Sequence, residues 1–384
     1  MILRSVEVHG FRNLAGKNVW GEGLNILYGS NGQGKTNWLE AIYLLAHTKS
    51  FRTAKLQEAI QFGEAAAYIR GEVAQNDNLS RELQVSLQGK NKIISVNGKR
   101  ETVSRYAGQL HTVAFTADEL DVVRGVPDAR RKFLDRGVVS LRPAYVQTLA
   151  DYNRVIRQKN RLLQDALDGR LRPDEAVESL KPWNDQLVEL SSQIHRSRSD
   201  YVNRLNEALD HTLFQDDVTI RYRSSLEGKG DLADYQSLMA ERLQFRLAAE
   251  MAAGTSLIGP HRDDLEILFD NRDLRTFGSS GQQRSALITL DLAAISVYYS
   301  WHKDYPIFLI DDVDAELDGK RINYLLEYLD GRTQTFVTTS KESHLQQFLP
   351  RANAYLIEGG CVKTTRWKNE AEIPSARAMR GILS

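Results

Sequence analysis

The sequence predicts an α/β fold: a mixed sheet with flanking helices and an antiparallel β subdomain, drawn from the two ends of the chain, with a mostly α-helical domain inserted between them. Three observations carry this. Leu24-Asn25-Ile26-Leu27-Tyr28 reads as a short buried strand, and it runs through a glycine-rich loop into apolar residues at helical spacing, Leu39, Ile42, Tyr43 and Ala46. Pro306-Ile307-Phe308-Leu309-Ile310 is continuously apolar, as the central strand of a parallel sheet requires. Between them Leu180, Leu187, Ile194 and Tyr201 recur every seven residues, with Trp183 and Leu190 interleaved, the pattern of a short helix–helix seam.

The other elements follow in order. Met1 to His9 alternates as a strand does. Leu83, Val85 and Leu87, then Ile94 and Val96, alternate on either side of Gly89-Lys90-Asn91, and Asn97-Gly98 marks a further turn, so the first lobe contains antiparallel hairpins. From Pro143 the period changes. Tyr145, Leu149, Tyr152, Ile156, Leu163 and Leu167 form one long amphipathic helix ending near Gly169, and the heptad helix folds back against it. Pro182 lacks an amide hydrogen and is expected at a helix start or a kink. A third helix is expected from Leu232 to Met251. Beyond Gly254, Leu265 to Phe269 and Leu274 to Phe277 read as strands around Asp270-Asn271-Arg272-Asp273. Ser285 to Tyr298 then reads as a helix and Thr335 to Thr338 as a strand, and the polar tail from Lys368 reads as disordered. The expected division is 1–142 and 255–384 as one split domain, with 143–254 as a helical insert forming a short antiparallel arm.

A chain of 384 residues exceeds what one core comfortably supports, which fits two domains. Fifty basic and fifty acidic residues cancel, so any nucleic-acid surface must be a local patch rather than a global field. The single cysteine, Cys361, excludes a disulfide framework and a cysteine-built zinc site. The amino terminus lacks a signal-peptide core, and no apolar run approaches the roughly 18 residues that span a bilayer, so a cytoplasmic protein without membrane partners is expected.

The loop between strand and helix is Gly29-Ser30-Asn31-Gly32-Gln33-Gly34-Lys35-Thr36. Its glycines let the backbone curl so that amides face phosphate oxygens, and the following helix adds positive potential. Lys35 is placed to reach β- and γ-phosphates and Thr36 to put its hydroxyl on Mg²⁺, so ATP with Mg²⁺ is the expected ligand. Asp311 and Asp312 end the apolar run at the carboxyl edge of the sheet, where open α/β sheets bind ligands. There Asp311 would hold Mg²⁺ and Asp312 would orient or deprotonate the attacking water. An isolated pair of this kind is more often an acidic turn; the complete phosphate loop upstream favours the metal role. Phe277-Gly278-Ser279-Ser280-Gly281-Gln282-Gln283-Arg284 leads into a helix and reads either as an anion-facing loop or as an ordinary cap.

Taken with its position about 25 residues before the strand from Pro306 to Ile310, this last loop resembles the signature loop of ABC-type ATPases, which reaches across a dimer to the γ-phosphate held by the other subunit. Ser279, Ser280, Gly281 and Gln282 match it, and Glu316 and Asp318 fall where such proteins carry their D-loop. The split head with a helical insert resembles the SMC branch, although the insert is far too short for an SMC arm. Four further stretches resemble the RecF family: Val8-His9-Gly10-Phe11-Arg12-Asn13-Leu14, Arg130-Arg131-Lys132-Phe133-Leu134-Asp135, Ile258-Gly259-Pro260-His261-Arg262-Asp263-Asp264 and Ser280-Gly281-Gln282-Gln283-Arg284. The chain departs from the family at Phe115-Thr116-Ala117-Asp118-Glu119, which lacks the usual proline. It also carries Thr338-Thr339-Ser340 where an ABC switch histidine would stand. The resemblance implies an ABC-type ATPase head with slow, DNA-stimulated hydrolysis and an ATP-dependent homodimer. It further implies binding to double-stranded, gapped and single-stranded DNA, partnership with RecO and RecR, RecA loading in gap repair and replication, and a part in the SOS response. The alternative is an ABC-type subunit powering another DNA-processing or transport complex.

Arg130, Arg131, Lys132 and Arg136 form the densest basic run, and Arg154, Arg157, Lys159 and Arg161 line a helix suited to a projecting arm. Clustered cations suit phosphate contacts. A solvated helix face with salt bridges to Asp135, Asp151 or Asp165 accounts for each residue equally well. His261 and Arg262 fit a nucleotide edge or a structural turn, and the other histidines lack metal-ligand spacing.

Overall fold

The computed structural model describes residues 1–76, 79–209, 217–317, 319–341 and 351–366. The chain divides into two compact units, one of residues 1–102, 109–118 and 303–384, the other of 103–108 and 119–302.

The first unit holds two six-stranded sheets. In one, the order is Cys361–Arg366, Ala352–Glu358, Leu24–Tyr28, Thr335–Thr339, Ile307–Ile310, Thr112–Phe115, parallel throughout except for the antiparallel edge strand Cys361–Arg366. Leu24 pairs with both Thr335 and Ala352, so the amino-terminal strand exists only between two strands from the far end of the sequence. Every residue of Ile307–Ile310 and of Thr335–Thr339 is buried, as strands covered on both faces must be. Trp20 packs edge-on against Trp38, Phe336 and Tyr355, joining residues from both chain ends with aromatic contacts worth about 1 kcal/mol each beyond area burial. The other sheet is wholly antiparallel, in the order Leu14–Val19, Ile2–Phe11, Ala66–Asn76, Leu79–Gln88, Asn91–Val96, Lys99–Arg100. The expected hairpin is present, with Leu83 opposite Val96 and Val85 opposite Ile94. Asn97 and Gly98 both take positive φ, the two-residue turn that matches strand twist.

The second unit is mainly helical. Tyr145–Leu167 and Pro173–Ala208 pack together, with Leu180, Leu187, Ile194 and Tyr201 buried along the seam as the seven-residue spacing requires. Pro173 occupies the helix start, and Pro182 lies inside the same helix rather than opening it, its side chain exposed. Helix Tyr235–Ala253 ends at Gly254, which takes φ 64° to close it. Leu274–Phe277 is a helix, not the expected strand: Asp273 accepts the Thr276 amide at 3.0 Å and caps it, and the hairpin turns earlier, at Asp270-Asn271, both with positive φ. The boundaries expected at 142 and 255 do not coincide with the division between units. Helices Pro127–Leu141 and Ser280–His302 pack on Pro173–Ala208, because apolar faces separated in sequence close one helical core.

Candidate nucleotide site

The loop from Gly29 to Thr36 joins the buried strand Leu24–Tyr28 to helix Lys35–His47. Gly29, Gly32 and Gly34 have φ of 142°, 78° and 106°, values side chains resist, so the curl depends on glycine at these positions. Gly29 is also tightly enclosed, since a Cβ there would lie 2.5 Å from the Ile357 carbonyl oxygen. The return turn after Ala352–Glu358 braces the loop from outside: the Gly359 amide donates to Gln33 Oε1 at 2.7 Å and the Gly360 amide to the Gln33 carbonyl at 2.8 Å. Lys35 Nζ donates back to the carbonyls of Gly29 and Ser30, at 2.7 and 2.9 Å, and holds the loop open around its own ammonium. Burial lowers the Lys35 pKa, against the opposing pull of Asp312, Asp311 and Asp314.

The second motif meets the first through hydroxyls. Thr36 Oγ1 and Thr338 Oγ1 both donate to Asp311 Oδ1, at 2.9 and 2.7 Å, and the Asp312 amide donates to Thr338 Oγ1 at 2.7 Å. Two sheet strands and the loop helix thus converge on one carboxylate. Burial raises the Asp311 pKa, opposed by hydrogen bonds from Thr338 and Thr36, so this carboxylate sits where a nearby cation would stabilise it. A hydroxyl beside one or two carboxylates, completed by substrate phosphates, is the oxygen set Mg²⁺ takes, and Thr36 with Asp311 fits it. Held there by Thr36 and Asp311, Mg²⁺ would supply charge neutralisation to the phosphates of a bound nucleotide. Asp312 is exposed, with φ 47° turning it away from the strand direction. Asp314 accepts from Thr339 Oγ1 and, at 3.2 Å, from the Ser340 amide. Thr338 stands where an ABC switch histidine would, and its hydroxyl meets Asp311 instead. Asp318 and the Glu316 side chain lie outside the described residues.

One neighbouring network joins residues whose contacts the sequence does not spell out. Arg52 Nη1 donates to Asn37 Oδ1 at 2.7 Å, Asn37 Nδ2 donates to Asn13 Oδ1 at 2.7 Å, and Arg12 forks onto the buried Glu40 at 3.0 and 2.8 Å. Arg12 and Asn13 lie in one of the family-like stretches, whereas Arg52 stands alone in a polar loop.

In the second unit, Ser279 and Gln282 form a reciprocal capping box at the start of helix Ser280–His302. The Gln282 amide donates to Ser279 Oγ at 3.2 Å and the Ser279 amide to Gln282 Oε1 at 2.9 Å. Ser279, Ser280 and Gly281 are exposed, and the helix amino-terminus favours an anion.

Two basic stretches change meaning. Arg130 is buried, not a DNA-facing residue: it forks onto Asp264 at 2.6 and 2.9 Å and donates to the Gly125 carbonyl at 2.9 Å. Arg131 donates to the Asp263 carbonyl at 2.9 Å. The Arg130-Arg131 and Ile258–Asp264 stretches are therefore two halves of one polar core. Lys159 is likewise fully buried, 2.7 Å from Glu250. Lys132 and Arg154 are exposed but paired with Asp128 and Asp151 at 2.7 and 2.8 Å, Arg136 pairs with Glu119, and Arg157 and Arg161 are exposed.

His261 belongs to this core as well, with Tyr152 Oη 2.6 Å from its Nδ1, and burial pushes its pKa from 6.5 down to about 4. The unfolded chain therefore protonates first as pH falls, so this contribution is complete above about pH 6.5 and is lost toward pH 4. His261→Gln is expected to remove about 2 kcal/mol of the stability difference between pH 7 and pH 5, read from denaturant midpoints. An unchanged pH dependence would show that His261 is not held neutral.

The split sheet, the phosphate loop and the aspartates closing Ile307–Ile310, one strand removed from the loop's own, define an ABC-type ATPase head of the SMC kind. The family model for the RecF/RecN/SMC N terminal domain matches residues 2–362. The "DNA replication and repair protein RecF" of Ligilactobacillus salivarius is 36% identical over 371 residues, covering 94% of this chain and 97% of that protein. The protein of the same name from Shouchella clausii is 34% identical over 373 residues, covering 94% and 99%. Among solved structures, the recombination mediator protein RecF-ATP of the RecFOR pathway superposes with TM-score 0.85 at 30% identity, covering 94% of this chain and 96% of that one. The Smc head domain of Pyrococcus furiosus superposes at 0.55 with 15% identity, a likeness of fold. This chain belongs to the RecF family. No helix among the described residues is long and apolar enough to cross a membrane.

Proposed function

We propose that this protein is a cytoplasmic, ATP-dependent DNA-binding clamp of recombinational repair and replication. Two copies close on two ATP molecules and grip duplex or gapped DNA, and slow, DNA-stimulated hydrolysis releases it. The observation that supports it best is the convergence of Thr36 and Thr338 on Asp311 beside the lysine-stapled loop, because it joins a phosphate cradle to a hard-cation site. In this reading Lys35 and the loop amides from Gly29 to Thr36 bind the phosphates, and Thr36 with Asp311 holds Mg²⁺. Asp312 positions water from the exposed side, and the Ser279–Gln282 cap approaches the nucleotide of the second copy, with Glu316 and Asp318 at the dimer interface. The head is then built functionally from 1–142 and 255–384, with 143–254 as a short arm. Lys132, Arg154 and Arg157 remain its DNA candidates. In this reading the clamp works with RecR and RecO to load RecA at gaps and takes part in SOS induction.

Sedimentation with ATP and Mg²⁺, with and without gapped duplex, tests this. A monomer that becomes a dimer and retains the DNA supports the clamp; a nucleotide-bound monomer under all conditions removes it. Ser279→Arg places a long cation in the exposed cap. It is expected to leave ATP affinity of the monomer within about threefold and to weaken dimerisation at least tenfold, a penalty of the size of one misplaced charge. Dimers formed undiminished by Ser279→Arg would refute the role across the subunits.

A further inference from the structure

Far along helix Ser280–His302 from its cap, the helical unit presents an indole beside two arginines. Trp301, in the last turn, remains 41% exposed. Its ring centroid is 4.9 Å from Arg204 Cζ and 5.5 Å from Arg142 Cζ. Arg142 follows helix Pro127–Leu141 and Arg204 belongs to Pro173–Ala208, so three helices deliver the three side chains. Among the described residues the sole carboxylate in ion-pair range of either guanidinium is Asp200, 3.9 Å from Arg142, with both side chains 47% exposed. Arg196, exposed, lies four residues before Asp200 and eight before Arg204, on the same helix face.

Two guanidiniums gathered at one ring repel each other, and one distant carboxylate does not neutralise them. The patch therefore favours a polyanion. The indole, partly exposed with both guanidiniums over its ring, adds an aromatic surface beside them, which suits a ligand that carries π-faces along with its charge. Duplex DNA keeps its bases stacked inside and offers the indole nothing, whereas a single strand offers both phosphate and base. An acidic peptide would satisfy the arginines and leave the indole in water. We infer that Arg142, Arg204 and Trp301 form a single-strand-binding patch, with phosphates on the guanidiniums and a base against the indole. The inference rests on the reading of the chain as a DNA-binding protein and adds to it a separate site for the unpaired strand.

The test is fluorescence anisotropy with ATP present, using a labelled oligothymidylate and a duplex of the same length, on the wild type, Trp301→Ala, Trp301→Phe and Arg204→Glu. Trp301→Ala is expected to weaken oligothymidylate binding about tenfold while Trp301→Phe retains most of it, as stacking requires. Arg204→Glu should weaken binding and reduce its salt dependence by about one counterion or more. Duplex affinity should stay within about threefold for all three variants, since they touch no paired strand. Unchanged single-strand affinity in the alanine and glutamate variants, or equal losses for both DNA forms, would overturn the inference. So would competition by polyglutamate as strong as that by unlabelled oligothymidylate, which assigns the patch to an acidic protein. A wild type that binds duplex but no single strand sinks this inference alone; one that binds neither sinks the clamp as well.

Discussion

Lys35→Ala is expected to bind ATP about a hundredfold more weakly than the unaltered protein, measured by calorimetric titration with Mg²⁺ present. The ammonium is buried and has two duties in one place. It supplies the loop with its cation, and its bonds to the Gly29 and Ser30 carbonyls hold the curl that glycine permits. Hydrogen bonds to charged groups contribute about 1.5 to 3 kcal/mol each, and loss of one or two such bonds to phosphate gives roughly that hundredfold. Lys35→Arg should recover little, because a planar fork does not fit a pocket sized for a point charge. Affinity of the alanine variant within threefold of the parent would mean that the loop binds something other than a nucleotide phosphate.

The second large effect is on stability. Lys159→Met is expected to cost about 3 to 5 kcal/mol, because it strands Glu250 as an uncompensated charge in the helical core. Both side chains have no solvent exposure, and they lie 2.7 Å apart as an ion pair. Burial is the main influence on Lys159, pulling its pKa down against the pull of Glu250. Glu250 Oε1 meanwhile accepts from the Leu257 amide at 2.8 Å and the Ser256 hydroxyl at 3.0 Å, anchoring the chain after helix Tyr235–Ala253. The loss should appear as a fall of about 10 °C in melting temperature. Lys159→Met with Glu250→Gln should recover most of it, since the amide oxygen still accepts from Leu257 and no charge remains buried. A single variant as stable as its parent would show that water reaches the pair.

How much was legible in the sequence varies with how local the physics is. Lys35 and Thr36 could be read because glycine-permitted backbone, cation and hydroxyl lie within eight consecutive residues, and Asp311 because a complete phosphate loop upstream gives weight to a carboxylate that closes a buried strand. The Asn97-Gly98 turn and the heptad seam were legible for the same reason. Arg130 was not. As part of a basic run it resembles a phosphate contact, and only the arrival of Asp264 from 134 residues away makes it a buried fork. Thr338 was likewise opaque, since a threonine in a strand spells no chemistry until Thr36 and Asp311 meet it.

By itself, then, the sequence determined the α/β class, the phosphate loop, the helical middle and the RecF likeness, all encoded in short windows where period, turn chemistry and side-chain type act together. Tertiary structure decided which cations face water and which are buried, how residues 119–142 and 255–302 join the helical unit, and how Trp301 comes to lie beside Arg142 and Arg204. Those outcomes depend on burial and on partners distant in the chain, and the cost of an unpaired charge is set by the neighbour that folding supplies.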